Sequence, residues 1–363
     1  MGKFSKKRFL FICPDIKSPV GGIKMIYDTC YEFSTMGLDA YVVHCYPKTK
    51  IIWFESKSKV CFNNSLFPVS IKKDSLKYQI IGYLRKMKKY LLGQQDSFRL
   101  DYINVNWDTD LLIYPERLFP WAIYNLKHKK TVCFNQNVYK YLHAENFDRK
   151  EIKNAQKQAI FHFVGSEDSL NYLTLLLEST KIIRLKYYID TDLFLPLKKV
   201  NKICYMSRKN SKNSKQVLNF LEDYAVLNKW EMVDINRVSQ AEAAKQMGES
   251  KIFLSFSETE GFGLPPIEAL SCGCFVIGYH GEGGREYFDA GNFIEPVEAD
   301  NILDYVEKVK NWMDKLQNDN LFSPLSILAR KFVIDNYSKE VSSTFNRKQI
   351  EKFLDSLHEK DHL

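Results

Sequence analysis

KIFLSFSETEGFGLPPIEALSCGCFVIGY, Lys251 to Tyr279, decides the fold. Its two apolar runs, KIFLSFS and FVIGY, predict strands. Between them Pro265 and Pro266 suit the first turn of a helix, where a missing N–H costs nothing and φ is already set. The helix continues through Ile267, Glu268, Ala269 and Leu270 and stops at Gly273. Strand, helix and strand in succession, with strands apolar throughout, predict a parallel sheet covered on both faces.

The same alternation extends outward. FLFIC (Phe9 to Cys13) is a strand, followed by the loop DIKSPVGG and a helix with Ile23, Ile26, Tyr27, Cys30 and Phe33 on one face and Gly37 as its stop. YVVHCY, LLIYPE, TVCFNQN and AIFHFVGS continue the apolar runs to Ser166. The pattern pauses at YYIDTDLFLP (Tyr187 to Pro196) and resumes with strand KICYMS, a helix Ser214 to Leu227, a strand Trp230 to Ile235 and a helix Ser239 to Met247. An α/β protein of two Rossmann-like, doubly wound domains facing across a cleft is therefore expected, since such sheets bind ligands beyond their strand ends. The last helices, Ile302 to Leu316 and Pro324 to His358, have no strand after them and are expected to pack back on the N-terminal domain. The expected boundaries are 1–190, 191–335 and 336–363.

At 363 residues, with 45% hydrophobic and 26% charged, the chain has the composition of a folded two-domain protein. It contains no apolar run of about 18 residues that could span a membrane. The apolar run Phe9 to Cys13 is shorter than the roughly 7–15 residues of a signal-peptide core, so a cytoplasmic protein is expected. Eight dispersed cysteines without CxxC pairing predict buried free thiols rather than disulfides or zinc. The net charge of +8 suits an anionic partner. SLKYQIIGYLRKMKKYLLG, Ser75 to Gly93, carries five basic residues and no acid, with Leu76, Ile80, Leu84, Met87 and Leu91 at helical spacing. It reads either as a docked surface helix or as a basic helix lying on anionic lipid, which would place the protein at the inner face of the membrane.

The chemistry concentrates where the opening stretch turns into its helix. Free amides at a helix N-terminus attract phosphate, and Gly261 and Gly263 let the backbone come close to it. Carboxylates repel phosphate but accept hydrogen bonds from hydroxyls, so Glu260 and Glu268 are expected to hold sugar hydroxyls on either side of a diphosphate. Either glutamate alone would be explained by the helix dipole; the pair with the GFG loop describes a nucleotide-sugar site.

EGFGLPPIEAL (Glu260 to Leu270) resembles the EX7E signature of retaining glycosyltransferases of the GT-B fold, family 4. The resemblance extends through Ser271 to Ile277, with Phe275 where the family has Pro, and to Gly283-Gly284-Arg285-Glu286, one residue shorter than the family's G-G-x-x-E. YYIDTDLF is similar to the interdomain G-V-D-x-x-x-F, with Tyr188 for Gly, and Gly21-Gly22 is similar to the glycine loop near the donor diphosphate. The resemblance implies that Glu268 binds ribose, that Glu260 faces the donor sugar and that Phe262, Gly263 and Leu264 contact sugar or phosphate through their backbone. It also implies a basic pair on the leaving diphosphate: Arg208, and a second cation whose family position holds Asn213 here, so that it falls to a neighbour, Lys212 or Lys209, with Lys212 favoured. Transfer by front-face attack, without an enzyme nucleophile, is the mechanism the resemblance implies. His143 is the candidate for the family's histidine near the donor sugar, and Glu116, Asn135 and Gln136 lie at strand ends expected to meet the acceptor.

Asp108-Thr-Asp110 and Asp190-Thr-Asp192 both read DxD, a metal-chelating pattern in another glycosyltransferase fold. Two-residue patterns recur by chance, and Arg and Lys can neutralise a diphosphate, so no metal or other cofactor is expected beyond the nucleoside-diphosphate sugar as co-substrate. A dinucleotide oxidoreductase requires G-x-G-x-x-G, whose spacing Gly21-Gly22 and Gly281-Glu282-Gly283 lack. No nucleic-acid motif accompanies the dispersed basic residues, so no nucleic-acid partner is expected. The expected function is transfer of a hexose-type sugar, rhamnose among the candidates, to a glycan or lipid-linked acceptor in bacterial surface polysaccharide such as lipopolysaccharide or capsule. The alternative is a catalytically silent subunit of the same fold that binds sugar or a partner.

Overall fold

A computed structural model describes residues 7–16, 20–68, 98–128, 130–143, 147–177 and 181–361. The chain forms two compact units, Met1–Phe134 with Lys140–His162, and Asn135–Tyr139 with Phe163–Leu363. The basic segment 75–93 lies outside the described residues.

In the first unit the strands are β1 (Arg8–Ile12), β2 (Asp39–His44), β3 (Val60–Phe62), β4 (Asp101–Tyr102), β5 (Leu111–Pro115) and β6 (Thr131–Asn135). They lie in the order β4-β3-β2-β1-β5-β6, and every pairing described between them is parallel. Helices α1 (Gly21–Thr35), α2 (Phe119–Leu126) and α3 (Arg149–Lys157) are the connections. Phe9 pairs with Ala40 on one side and Leu111 on the other, and all three are buried, as apolar runs inside a two-sided sheet require. α1 ends where expected: Gly37 takes φ +79, the left-handed conformation glycine adopts without strain.

The second unit carries β7 (His162–Val164), α4 (Glu167–Leu177) and β8 (Ile182–Arg184), then β9 (Val200–Tyr205), α5 (Ser211–Leu227), β10 (Glu231–Asp234), α6 (Gln240–Glu249), β11 (Ser250–Glu260), α7 (Leu264–Ser271), β12 (Phe275–Glu282), α8 (Arg285–Phe288) and β13 (Ile294–Pro296). Its five-stranded sheet has the order β10-β9-β11-β12-β13, with parallel pairings throughout. The core joins β9, β11 and β12 to α5 and to α9 (Ile302–Leu316) through Ile203, Leu221, Leu254, Ile277, Tyr305 and Val309. Tyr305 stacks on Phe256 and donates to the carbonyls of Ser255 and Ile277, each at 3.1 Å, so its buried hydroxyl is satisfied.

The C-terminal region departs from the expected single helix over 324–358. It is two helices, α10 (Asp319–Tyr337) with Pro324 inside it and α11 (Lys339–Asp361). The break is at Ser338, extended at φ −61 and ψ 161, whose carbonyl accepts from Ser342 N as an N-cap residue's does. The Tyr337 carbonyl is taken by Ile189 N at 2.8 Å, which ends α10 against the 185–189 segment. Asn346 of α11 accepts from Lys186 N and donates to Lys186 O, and Phe353 meets Phe163 edge-on at 5.1 Å. These bonds are why 163–189 and the last helix fall in one unit.

Leu221 is fully buried among the residues that join α5 to the sheet. Leu221→Ala is expected to cost about 2–5 kcal/mol, the usual loss for emptying such a site, read as a lower urea midpoint with unchanged m-value.

Candidate functional site

In a parallel sheet all strands end on the same edge, so the loops after β9, β11 and β12 emerge together. β11 lies between the other two, with Leu254 paired to Tyr205 of β9 and to Ile277 of β12. Everything in this site belongs to the second unit.

The loop after β11 is built by three constraints. Gly261 packs against the main chain of 136–137: a Cβ there would fall 1.8 Å from Gln136 O. Asn137 Nδ2 donates to Thr259 O at 2.8 Å, and Ser169 Oγ to Gly261 O at 3.2 Å. Gly263 caps α7 at φ +80, a conformation that favours glycine. Of the four amides a helix N-terminus leaves without intrahelical partners, two are missing here because Pro265 and Pro266 have no N–H. Gly263 and Leu264 supply the remaining two, and neither amide donates to another described residue.

Glu260 ends β11, and Lys209 Nζ lies 2.6 Å from its Oε1. Both side chains keep about a quarter or less of their surface exposed, at 24% and 21%, so the pair is reachable from solvent. Lys209 stands in a short 3-10 turn, Ser207–Lys209, directly after β9. Asp234 at the end of β10 fixes that turn by accepting from Ser207 N and Ser207 Oγ. Arg208, in the same turn, is exposed and has no ion pair among the described residues. Lys212 is exposed in the first turn of α5. Asn213, at the position where the resemblance implies lysine, is buried and donates to Asp300 Oδ1 at 2.6 Å. Glu268 is partly buried in α7, and with Glu260 and Glu286 it adds to the field that acts on the Tyr287 phenol.

Glu286 opens onto structural partners instead. It accepts from Arg184 Nη2, Tyr337 OH and the Glu167 amide, each at 2.8 Å. Gly21 and Gly22 open α1 in the first unit. Glu116 is buried directly after β5, and its amide donates to Phe134 O at 3.2 Å. His143 ends the 3-10 turn Val138–His143. In each DxD pair one aspartate has partners within the fold. Asp110, fully buried, receives Arg8 through Nε and Nη2 at 3.0 and 2.7 Å, and the Asn106 amide at 2.7 Å. Asp190 Oδ1 caps the turn formed by Asp192 and Leu193. All eight cysteines are buried and free.

Sequence reasoning gave no sign of Tyr287, whose hydroxyl reaches Phe262 O and Gly263 O, nor of the Asp15–His44–Tyr27 array in the first unit. Neither has a local motif, because the partners come from separate elements.

Two parallel, helix-covered sheets are the GT-B architecture, and solved structures share it. The sucrose-phosphate synthase of Thermosynechococcus elongatus matches at TM-score 0.64 with 13% identity, over 97% of this chain and 100% of that one. The Anabaena protein Alr3699/HepE, solved in complex with UDP, matches at TM-score 0.58 with 13% identity, over 97% and 100%. Residues 144–319 match the family model described as glycosyl transferases group 1. An alpha-1,6-glucosyltransferase of Actinobacillus pleuropneumoniae serotype 7 (strain AP76) is 24% identical over 262 residues, 65% of this chain and 74% of that one. The protein is a GT-B glycosyltransferase. No described helix is long and apolar enough to cross a membrane.

Gly261→Ala tests the loop itself. With a methyl group 1.8 Å from Gln136 O the main chain must shift, so a loss of about 1–3 kcal/mol or more is expected in chemical denaturation.

Proposed function

We propose that the protein is a retaining glycosyltransferase of family 4 that moves a hexose-type sugar from a nucleoside-diphosphate donor to a glycan or lipid-linked acceptor in bacterial surface polysaccharide synthesis. The observation that carries this reading is the Lys209–Glu260 pair beside the open amides of Gly263 and Leu264. Cations and amides together suit a diphosphate that gains charge on departure, and the carboxylates beside them suit sugar hydroxyls. Preorganised donors of this kind stabilise the leaving group most in the transition state, because they need no reorganisation as charge develops.

In this reading the Gly263 and Leu264 amides and Arg208 take the diphosphate, and Glu268 takes the ribose hydroxyls. Lys209 supplies the second cation: it neutralises Glu260 in the free protein and reaches the phosphates when the donor is bound. Asn213 is committed to Asp300, which supports a cation drawn from the turn after β9. Lys212 is the alternative from the first turn of α5. Glu260 faces the donor sugar without acting as a nucleophile; the leaving phosphate assists removal of the acceptor proton on the same face, so the anomeric configuration is kept. The alpha-1,6-glucosyltransferase relative favours glucose as the sugar, and the five basic residues in the sequence of 75–93 accord with an acceptor held at an anionic membrane face.

Thermal-shift measurements against UDP-glucose, GDP-mannose and dTDP-rhamnose test the reading: at least one should raise Tm, and no shift with any nucleotide-sugar defeats it. Glu268→Ala should weaken nucleotide binding about tenfold or more, the loss expected for charge-assisted hydrogen bonds. Calorimetric titration separates the two lysines. Lys209→Ala should weaken nucleoside-diphosphate binding about tenfold and Lys212→Ala less than threefold; the reverse order moves the role to Lys212. The anomeric proton coupling of the product, read by NMR, decides between retention and inversion.

A further inference from the structure

Tyr287 follows Glu286 in α8 and is fully buried. Its hydroxyl donates to two successive carbonyls, Gly263 O at 2.6 Å and Phe262 O at 3.1 Å. A trans peptide is planar, so its N–H points opposite to its C=O. The Phe262 carbonyl shares a plane with the Gly263 amide, and the Gly263 carbonyl with the Leu264 amide. Drawing both carbonyls onto one phenol therefore turns both amides away from it. These are the two amides that Pro265 and Pro266 leave at the start of α7.

The surroundings are shaped around that hydroxyl. A Cβ on Gly263 or Gly284 would stand 2.9 or 2.7 Å from it, so glycine at both positions gives it room. The Phe262 and Tyr287 rings meet edge-on at 5.5 Å, which holds the phenol under the loop. Arg184, Tyr337 and the Glu167 amide hold Glu286 and so anchor the short helix that carries Tyr287. Burial first, then Tyr337 and the carboxylates of Glu260, Glu286 and Glu268, push the phenol well above its ordinary range, so it remains a donor.

We propose that Tyr287 is a positioning residue of the donor site, its hydroxyl aiming the Gly263 and Leu264 amides at the diphosphate. The inference rests on the nucleotide-sugar reading above. Calorimetric titration of UDP, GDP and dTDP into the wild type, Tyr287→Phe and Tyr305→Phe tests it. Tyr305 also donates to two carbonyls, but these belong to Ser255 and Ile277 in strands β11 and β12 and not to the 261–263 loop. Loss of either hydroxyl should lower Tm to a similar degree. Only Tyr287→Phe should also raise the nucleotide Kd, by about five- to tenfold. An unchanged Kd in Tyr287→Phe, or an equal rise in Tyr305→Phe, overturns the assignment. A wild type that binds none of the three nucleotides overturns the donor reading itself. Should Tyr287→Phe fail to fold, hydrogen exchange on the wild type decides: bound nucleotide should protect the Gly263 and Leu264 amides, and binding without protection there refutes the proposal.

Discussion

The parallel pairing of β11 with β9 on one side and β12 on the other is the constraint on which the second unit depends. Parallel strands need crossovers, and crossovers bring every strand end to the same edge. The cation-bearing turn at 207–209, the glycine loop at 261–263 and the short helix at Arg285–Phe288 are thus neighbours although they are far apart in the chain. From Ser250 to Ser257 every residue of β11 is buried, polar and apolar alike, as a sheet covered on both faces requires.

On that edge the backbone itself presents polar groups at the start of α7. Two prolines remove donors from the helix start, and a glycine in the left-handed conformation sets the angle at which the chain enters it. What remains is a pair of amides, which carry partial positive charge without the conformational freedom of a lysine side chain. Side chains then supply full charge at the rim, with Lys209 and Glu260 balancing one another while no anion competes.

The carboxylates illustrate how environment assigns roles to one residue type. Glu260 is held by a single cation about a quarter exposed and stays reachable from solvent, whereas Glu286 has three donors on its two oxygens and is committed to the fold. Asp110, fully buried against Arg8, is likewise structural. Sequence patterns such as DxD or G-G-x-x-E do not distinguish these cases, because the difference lies in the partners.

The sequence by itself determined the alternation of strands and helices, the helix start at the two prolines and its stop near Gly273, because these follow from local hydrophobic period and from backbone freedom at single residues. It also located Glu260, Glu268 and the glycine loop, which sit within nine consecutive residues. Only the tertiary structure showed that Lys209, 51 residues from Glu260, is its partner, that Asn213 is committed to Asp300, and that Arg184 reaches Glu286 across 102 residues. It likewise decided the break at Ser338, where Ile189 takes the last carbonyl of a helix whose residues alone would let it continue. The physical reason is common to all of these: periodicity and propensity act over a few residues, whereas an ion pair or a capped carbonyl depends on which distant element the fold brings alongside.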